Sequence, residues 1–275
     1  MYRKYTEKDV AAYYNEMSDV YKLIWDEDGC LHWGIFLEYF GCDLHRAFLY
    51  ANEVLAHKAN IGKGSRILDI GSGCGTTDRY LVKNYDTYVV GLDISFVRLQ
   101  DALRQRDSEG LQGLEFVMGS ARKLPFREKT FSHVWSQACF YYVPGDKNPV
   151  IEECYRVLEP EGILIFDDLL QTGEIDSKTR RMVFDRQRFH YAETFAGYEQ
   201  ILKSTGFQII EIEDLTADMK KTYECLVVNL QRRRHLIVEK FGKTLYDELL
   251  KGFTTTVSSL AERRIGWGLF LGKKK

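Results

Sequence analysis

Asp69 stands just before a run of alternating glycines, Gly71-Ser72-Gly73-Cys74-Gly75, and a second acid, Asp93, follows about 20 residues later. Alternating glycines let a backbone turn tightly and lie close against a ligand, and an acid at that interval suits two ribose hydroxyls. Dinucleotide enzymes carry Gly-x-Gly-x-x-Gly, whereas the spacing here is Gly-x-Gly-x-Gly with a carboxylate ahead of it. That carboxylate would repel a pyrophosphate but suits an ammonium and a sulfonium, so the ligand expected above the turn is S-adenosyl-L-methionine.

Chemistry of this kind needs a strand, a turn and a helix in that order. The hydrophobic run at 66–70 predicts a buried strand, and 76–84 has the spacing of a helix packed on a sheet. Strands at 66–70, 87–92, 114–118, 131–136, 161–167 and 207–213 alternate with helices at 76–84, 96–106, 148–157 and 196–205. That alternation predicts an α/β fold with a parallel sheet covered on both faces. The stretch 216–261 reads as mostly helical, and 264–271 closes the chain as a strand. Upstream, Thr6 with Asp9 caps an amphipathic helix to about Asp26, and Asp43 caps a second to about Ala59. The first forty residues are the most aromatic part of the chain; helix packing accounts for most of the rings, and His32 and Trp33 are candidates for a lid over the ligand. Residues 1–62 are thus expected to form a helical, aromatic lid segment and 63–275 the ligand-binding domain, with a helical insertion at about 216–261.

A chain of 275 residues suits one large α/β domain with additions. Net charge −2 and a pI near 6.3 leave no electrostatic footprint for nucleic acid. Arg232-Arg233-Arg234 reads as a solvated face, and Lys273-Lys274-Lys275 as a solvated tail. No apolar run approaches the roughly 18 residues of a membrane span, and the first residues lack the core of a signal peptide, so a cytoplasmic protein is expected. Its partner would be a small-molecule substrate, with a homodimer left open. The six cysteines (30, 42, 74, 139, 154 and 225) lack any Cys-x-x-Cys, which suits neither zinc nor a disulfide framework; free thiols and no metal are expected.

The glycine turn, Asp93, Gly119-Ser120-Ala121 leading to Leu124-Pro125-Phe126, and Arg156-Val157-Leu158-Glu159-Pro160-Glu161-Gly162 stand in order. As a set they resemble class I S-adenosylmethionine-dependent methyltransferases over about residues 64 to 167. The resemblance implies a Rossmann-like, doubly wound sheet of seven strands, the last antiparallel, and S-adenosyl-L-homocysteine as product. It places Gly71, Ser72 and Gly73 against the methionine part of the cofactor and Asp93 on its ribose. Ile94 would flank the adenine, with Ser120 and Ala121 at its edge, and Ser136 and Gln137 would lie beside the methyl donor. The residue before Ala121 is commonly an aspartate in the family; Ser120 can still accept, through a neutral and weaker bond.

His32-Trp33-Gly34 and Trp135-Ser136-Gln137 look more particularly like the branch of sarcosine/dimethylglycine N-methyltransferases and tocopherol-type C-methyltransferases. That branch often continues with Asp-Ala-Phe and a histidine, whereas this chain has Ala138-Cys139-Phe140-Tyr141-Tyr142. Methyl transfer is an in-line displacement that depends on positioning and on excluding water, and a base is needed only when the acceptor arrives protonated. Tyr142, His190 and Tyr141 are the catalytic candidates. Asp167 and Asp168 close the fifth strand, and Arg186, Arg188 and Tyr191 are read either as recognising a carboxylate or as solvated side chains. The expected function is methylation of a small molecule, an amine by preference, with C- or O-methylation of an aromatic, prenylated or other natural-product acceptor as the alternative. An NAD-dependent oxidoreductase or epimerase would carry its glycines nearer the N-terminus and a Tyr-x-x-x-Lys pair. A non-catalytic S-adenosylmethionine-binding module would differ by forming no product.

Overall fold

In the computed structural model, which describes residues 4–189 and 191–275, local signals set the first two helices. The Thr6 hydroxyl accepts from the Asp9 N–H and the Asp9 carboxylate accepts from the Thr6 N–H, a reciprocal cap that starts α1 (Glu7–Ile24). Asp43 accepts from the Arg46 N–H at 3.1 Å and starts α2 (Leu44–Lys58). Between them runs irregular chain with a short 3-10 turn at Glu38–Phe40.

Strand and helix then alternate as β1 (Arg66–Ile70), α3 (Thr76–Tyr85), β2 (Tyr88–Asp93), α4 (Phe96–Ser108), β3 (Leu114–Met118) and β4 (Phe131–Gln137). A 3-10 turn at Phe140–Tyr142 leads to α5 (Asn148–Val157) and β5 (Leu158–Gln171). Next come α6 (Ser177–Thr179), a π-helical turn (Arg180–Asp185), α7 (Phe195–Thr205) and β6 (Phe207–Asp214). Three helices, α8 (Thr216–Arg232), α9 (Arg234–Phe241) and α10 (Lys243–Ala261), precede the final strand β7 (Ile265–Lys274).

The seven strands lie in the order β3-β2-β1-β4-β5-β7-β6, with β7 antiparallel to both neighbours and the other pairings parallel. Strand order reverses between β1 and β4, which opens a crevice at their carboxyl ends, above the glycine turn. Side chains alternate across the sheet: Leu68, Val134 and Leu164 enter one core, and Ile67, Trp135 and Ile165 enter the other. The second core also takes the buried face of α1 and much of α8–α10, so the N-terminal segment and the insertion share one side of the sheet.

Three expectations need correction. β5 runs well past residue 167, because its antiparallel register with β7 continues to Gln171↔Ile265. The lysine-rich end is no free tail: Lys274 belongs to β7, and its buried ammonium donates to the Tyr155 and Leu158 carbonyls at 2.5 and 2.8 Å. Cys42 and Cys225 form a disulfide with Cα atoms 5.3 Å apart, while Cys30, Cys74, Cys139 and Cys154 are free. The pairing bridges 183 residues and depends on the N-terminal segment meeting α8, which cysteine spacing does not encode. Among the described residues, no helix is long and apolar enough to cross a membrane.

Candidate active site

The turn after β1 is held by the Leu92 carbonyl, which accepts from the Gly71 and Ser72 N–H groups at 2.7 and 3.2 Å. Gly71 has φ +87°, and a Cβ there would meet Cys139 Sγ at 2.4 Å; at Gly73, φ +57°, it would meet Arg98 Nη2 at 2.5 Å. Both positions therefore require glycine. At the end of β2, Asp93 Oδ2 accepts from the Gly73 N–H at 2.9 Å and Oδ1 from the Ser95 N–H at 2.7 Å.

Above the turn lies a cavity. Asp69, Asp93, Ile94 and Ala121 line it, together with Gln137 at the end of β4 and Cys139 and Tyr142 of the turn that follows. Glu7, Val10 and Tyr14 of α1 and the segment from Gly29 to His32 cover it. Three polar atoms on this lining, Ser72 Oγ, Gln137 Nε2 and His32 Nε2, are buried without a partner, which marks a place for a polar ligand. Burial lowers the His32 pKa to about 4, and its Nδ1 lies 2.9 Å from the Trp33 carbonyl. The ring is thus neutral, with Nδ1 donating and Nε2 left as an acceptor. Burial first, then Asp78 and Asp93, push the Asp69 pKa well above the usual carboxylate range. Carboxylates for an ammonium and a ribose, with Ile94 and Ala121 as an apolar wall, fit S-adenosylmethionine.

Beyond the cavity is a packed group of rings. Tyr142 meets Tyr14 edge-on at 5.2 Å and lies 4.1 Å from Tyr141, and its hydroxyl donates to Gln187 Oε1 at 3.0 Å. Burial raises the Tyr13, Tyr14, Tyr141 and Tyr142 pKa values far above the usual tyrosine range, so these hydroxyls stay protonated. Asp168 fixes the turn that carries the rings, accepting from the Tyr141 N–H at 3.1 Å and the Tyr198 hydroxyl at 2.7 Å. Burial raises its pKa to about 7, against the Tyr198 hydrogen bond and the Lys147 ammonium. Asp167 accepts from the Ala138 N–H at 3.1 Å, and burial lifts it to about 8.

Residues 68–166, which hold the glycine turn, Asp93 and the turn after β4, match the family described as a methyltransferase domain. The chain carries a methyltransferase domain. It is 30% identical over 216 residues to the glycine/sarcosine/dimethylglycine N-methyltransferase of Actinopolyspora halophila, covering 78% of this chain but only 38% of that protein. It is 27% identical to the sarcosine/dimethylglycine N-methyltransferase of Halorhodospira halochloris, covering 95% of this chain and 94% of that one. Among solved structures, phosphoethanolamine N-methyltransferase 2 of Haemonchus contortus, bound to phosphomonomethylethanolamine and S-adenosylhomocysteine, shares the fold with a TM-score of 0.83. That likeness is at 21% identity and covers 96% of this chain and 60% of the other.

Within the methyltransferase domain, Asp69, Gly71, Ser72, Gly73, Asp93, Ile94, Ala121 and Gln137 surround the one cavity, joined by His32 from the N-terminal segment and by Tyr142. Four expected residues do not line it. The Ser120 hydroxyl donates to Glu7 Oε1 at 2.6 Å, tying down the start of α1, and the Ser136 hydroxyl donates to the Ile70 carbonyl at 2.8 Å beneath the turn. Trp33 is buried against Tyr141 and Trp267, with ring centres at 6.0 and 5.6 Å, and serves the core. Tyr141 stands behind Tyr142 and borders only a small adjoining void. His190 lies outside the described residues. Sequence reasoning missed Glu7, Val10, Arg98 and Cys139, whose place at the cavity depends on where α1, α4 and the turn after β4 pack.

Proposed function

We propose that the chain transfers a methyl group from S-adenosyl-L-methionine to the nitrogen of a small amine. The observation that carries this reading is the pair of tyrosine rings on the cavity lining, Tyr14 and Tyr142, whose buried hydroxyls hold their protons. A phenol or alcohol would need a base to take its proton, and no tyrosinate is available near neutral pH. An amine brings its own lone pair, and ring faces favour the positive charge it acquires by about 0.5–2 kcal/mol. The bound cofactor supplies an electrophilic methyl group on a sulfonium. The backbone of Gly71, Ser72 and Gly73 takes its amino-acid part, Asp93 its ribose, and Ile94 and Ala121 its adenine. Residues 1–62 serve as the lid, since α1 and the segment from Gly29 to His32 close the cavity against water.

An acidic group on the amine is part of the proposal. Arg186 has no carboxylate partner among the described residues; its guanidinium donates to the Met182 carbonyl at 3.0 Å and the Tyr13 hydroxyl at 3.5 Å, beside the tyrosine group. A guanidinium in that setting suits a carboxylate or phosphate. The names of the relatives, which act on glycine derivatives and phosphoethanolamine, agree with it.

Labelled methyl donor with a panel of amino acids, phosphoamines, simple amines, phenols and quinols tests the reading. Methylated amines are expected, with a subsaturating rate that climbs with pH toward the amine's own pKa. Tyr142→Phe should cost less than about threefold in kcat/KM and Tyr142→Ala about 30-fold, because the ring is used and the hydroxyl is not. Turnover of phenols or quinols and of no amine would overturn it.

A further inference from the structure

Asp78 stands in the first turn of α3, fully buried, and apart from its own N–H and Asp69 its carboxylate has no hydrogen-bond partner among the described residues. Its side chain hydrogen-bonds to that of Asp69, which borders the cavity at the glycine turn, so two carboxyl groups meet with one proton between them. The charged groups facing the pair come from three elements. Asp93 on β2 and Asp167 on β5 add negative charge. Arg79 on α3 is the nearest cation, but its guanidinium is committed to the Cys74 carbonyl at 3.0 Å and to Glu109 at 3.3 Å. The α3 N-terminus offers partial positive charge and Asp78's own N–H. Burial outweighs these, holding Asp69 well above the carboxylate range and Asp78 at about 7. Two adjoining carboxylates cannot both ionise at such a site, so the pair titrates as a unit and keeps one proton near neutral pH.

We propose that Asp78 and Asp69 together form an ammonium subsite that holds a proton in the free protein and gives it up when the amino-acid end of the cofactor binds. The inference rests on the S-adenosylmethionine reading above. A protonated dyad is a weak cation site, whereas a deprotonated one is a strong one. The ammonium therefore replaces the proton, which leaves to the buffer, and Asp78 stores the negative charge that Asp69 presents. Cofactor affinity becomes linked to pH through a residue that does not border the cavity.

The test is calorimetry of S-adenosylhomocysteine binding in buffers of different ionisation enthalpy, from pH 6 to pH 8.5. Near pH 6 the wild type should release close to one proton, with Kd falling about tenfold per pH unit, and release should fade above about pH 8. 5′-Methylthioadenosine keeps the ribose and adenine but has no ammonium, and should bind with no release. Asp78→Asn removes the second acid but leaves Asp69 raised by burial, so release should persist and fade at a lower pH than in the wild type; an unchanged profile would overturn the role of Asp78. Where that variant fails to fold, the wild-type comparison of the two ligands decides alone. Binding of S-adenosylhomocysteine without proton release, or equal release with both ligands, would overturn the inference and leave the cofactor reading standing. Failure of the wild type to bind S-adenosylhomocysteine at any pH would overturn the cofactor reading and this inference with it.

Discussion

Gly73 donates its backbone N–H to Asp93 Oδ2 at 2.9 Å, so the acid that ends β2 also braces the turn that follows β1. Its other oxygen accepts from the Ser95 N–H at 2.7 Å, the residue that caps α4. Asp93 thus ties two connections of the sheet to the cavity it faces.

Replacing Asp93 should therefore cost more than a ribose contact. Asp93→Ala is expected to lower affinity for S-adenosylhomocysteine by about 30-fold or more, a loss of roughly 2–4 kcal/mol, and to lower the melting temperature as well. Asp93→Asn keeps one acceptor for the turn and should lie between that variant and the wild type. Calorimetry and thermal melts check both; affinity within threefold of wild type in Asp93→Ala would separate the acid from the ligand.

Asp167 predicts a pH dependence with a definite sign. Burial raises its pKa to about 8, so the folded state holds the proton that an unfolded aspartic acid loses near 4. The stabilisation is complete below that lower value and is lost as pH rises through about 8. Asparagine copies the neutral acid and cannot ionise, so Asp167→Asn should gain stability relative to wild type between pH 6 and pH 9. Urea melts at the two pH values measure it; a difference that stays constant or shrinks would count against the buried neutral acid.

The Cys42–Cys225 bond predicts a redox-dependent stability. It closes a loop of 183 residues and fastens the chain before α2 to α8 of the insertion. Opening it should cost about 2–4 kcal/mol. Reduced wild type and Cys42→Ser should then melt together, below the oxidised wild type. Identical melting of wild type with and without reductant would show that the thiols are not paired in solution.

Most of the sheet and its glycine turn was legible in the chain. The hydrophobic runs at Arg66–Ile70 and Phe131–Gln137, the caps at Thr6 and Asp43, and the glycines with φ > 0 each depend on neighbours within a few residues. The order of those elements then confines a parallel sheet to few topologies, which is why Asp69 and Asp93 could be placed at one crevice before any coordinates. What covers that crevice was decided only by the tertiary structure. Val10 and Tyr14 reach the cavity, Trp33 turns away into the core, Asp78 meets Asp69, Cys42 meets Cys225, and Lys274 caps carbonyls at Tyr155 and Leu158. Most of these contacts join distant segments, and all of them turn on how whole helices and strands pack. A ring or a charge in the sequence carries its chemistry with it, but the face it presents is chosen by whichever packing buries the most apolar surface while leaving the fewest polar groups unpaired.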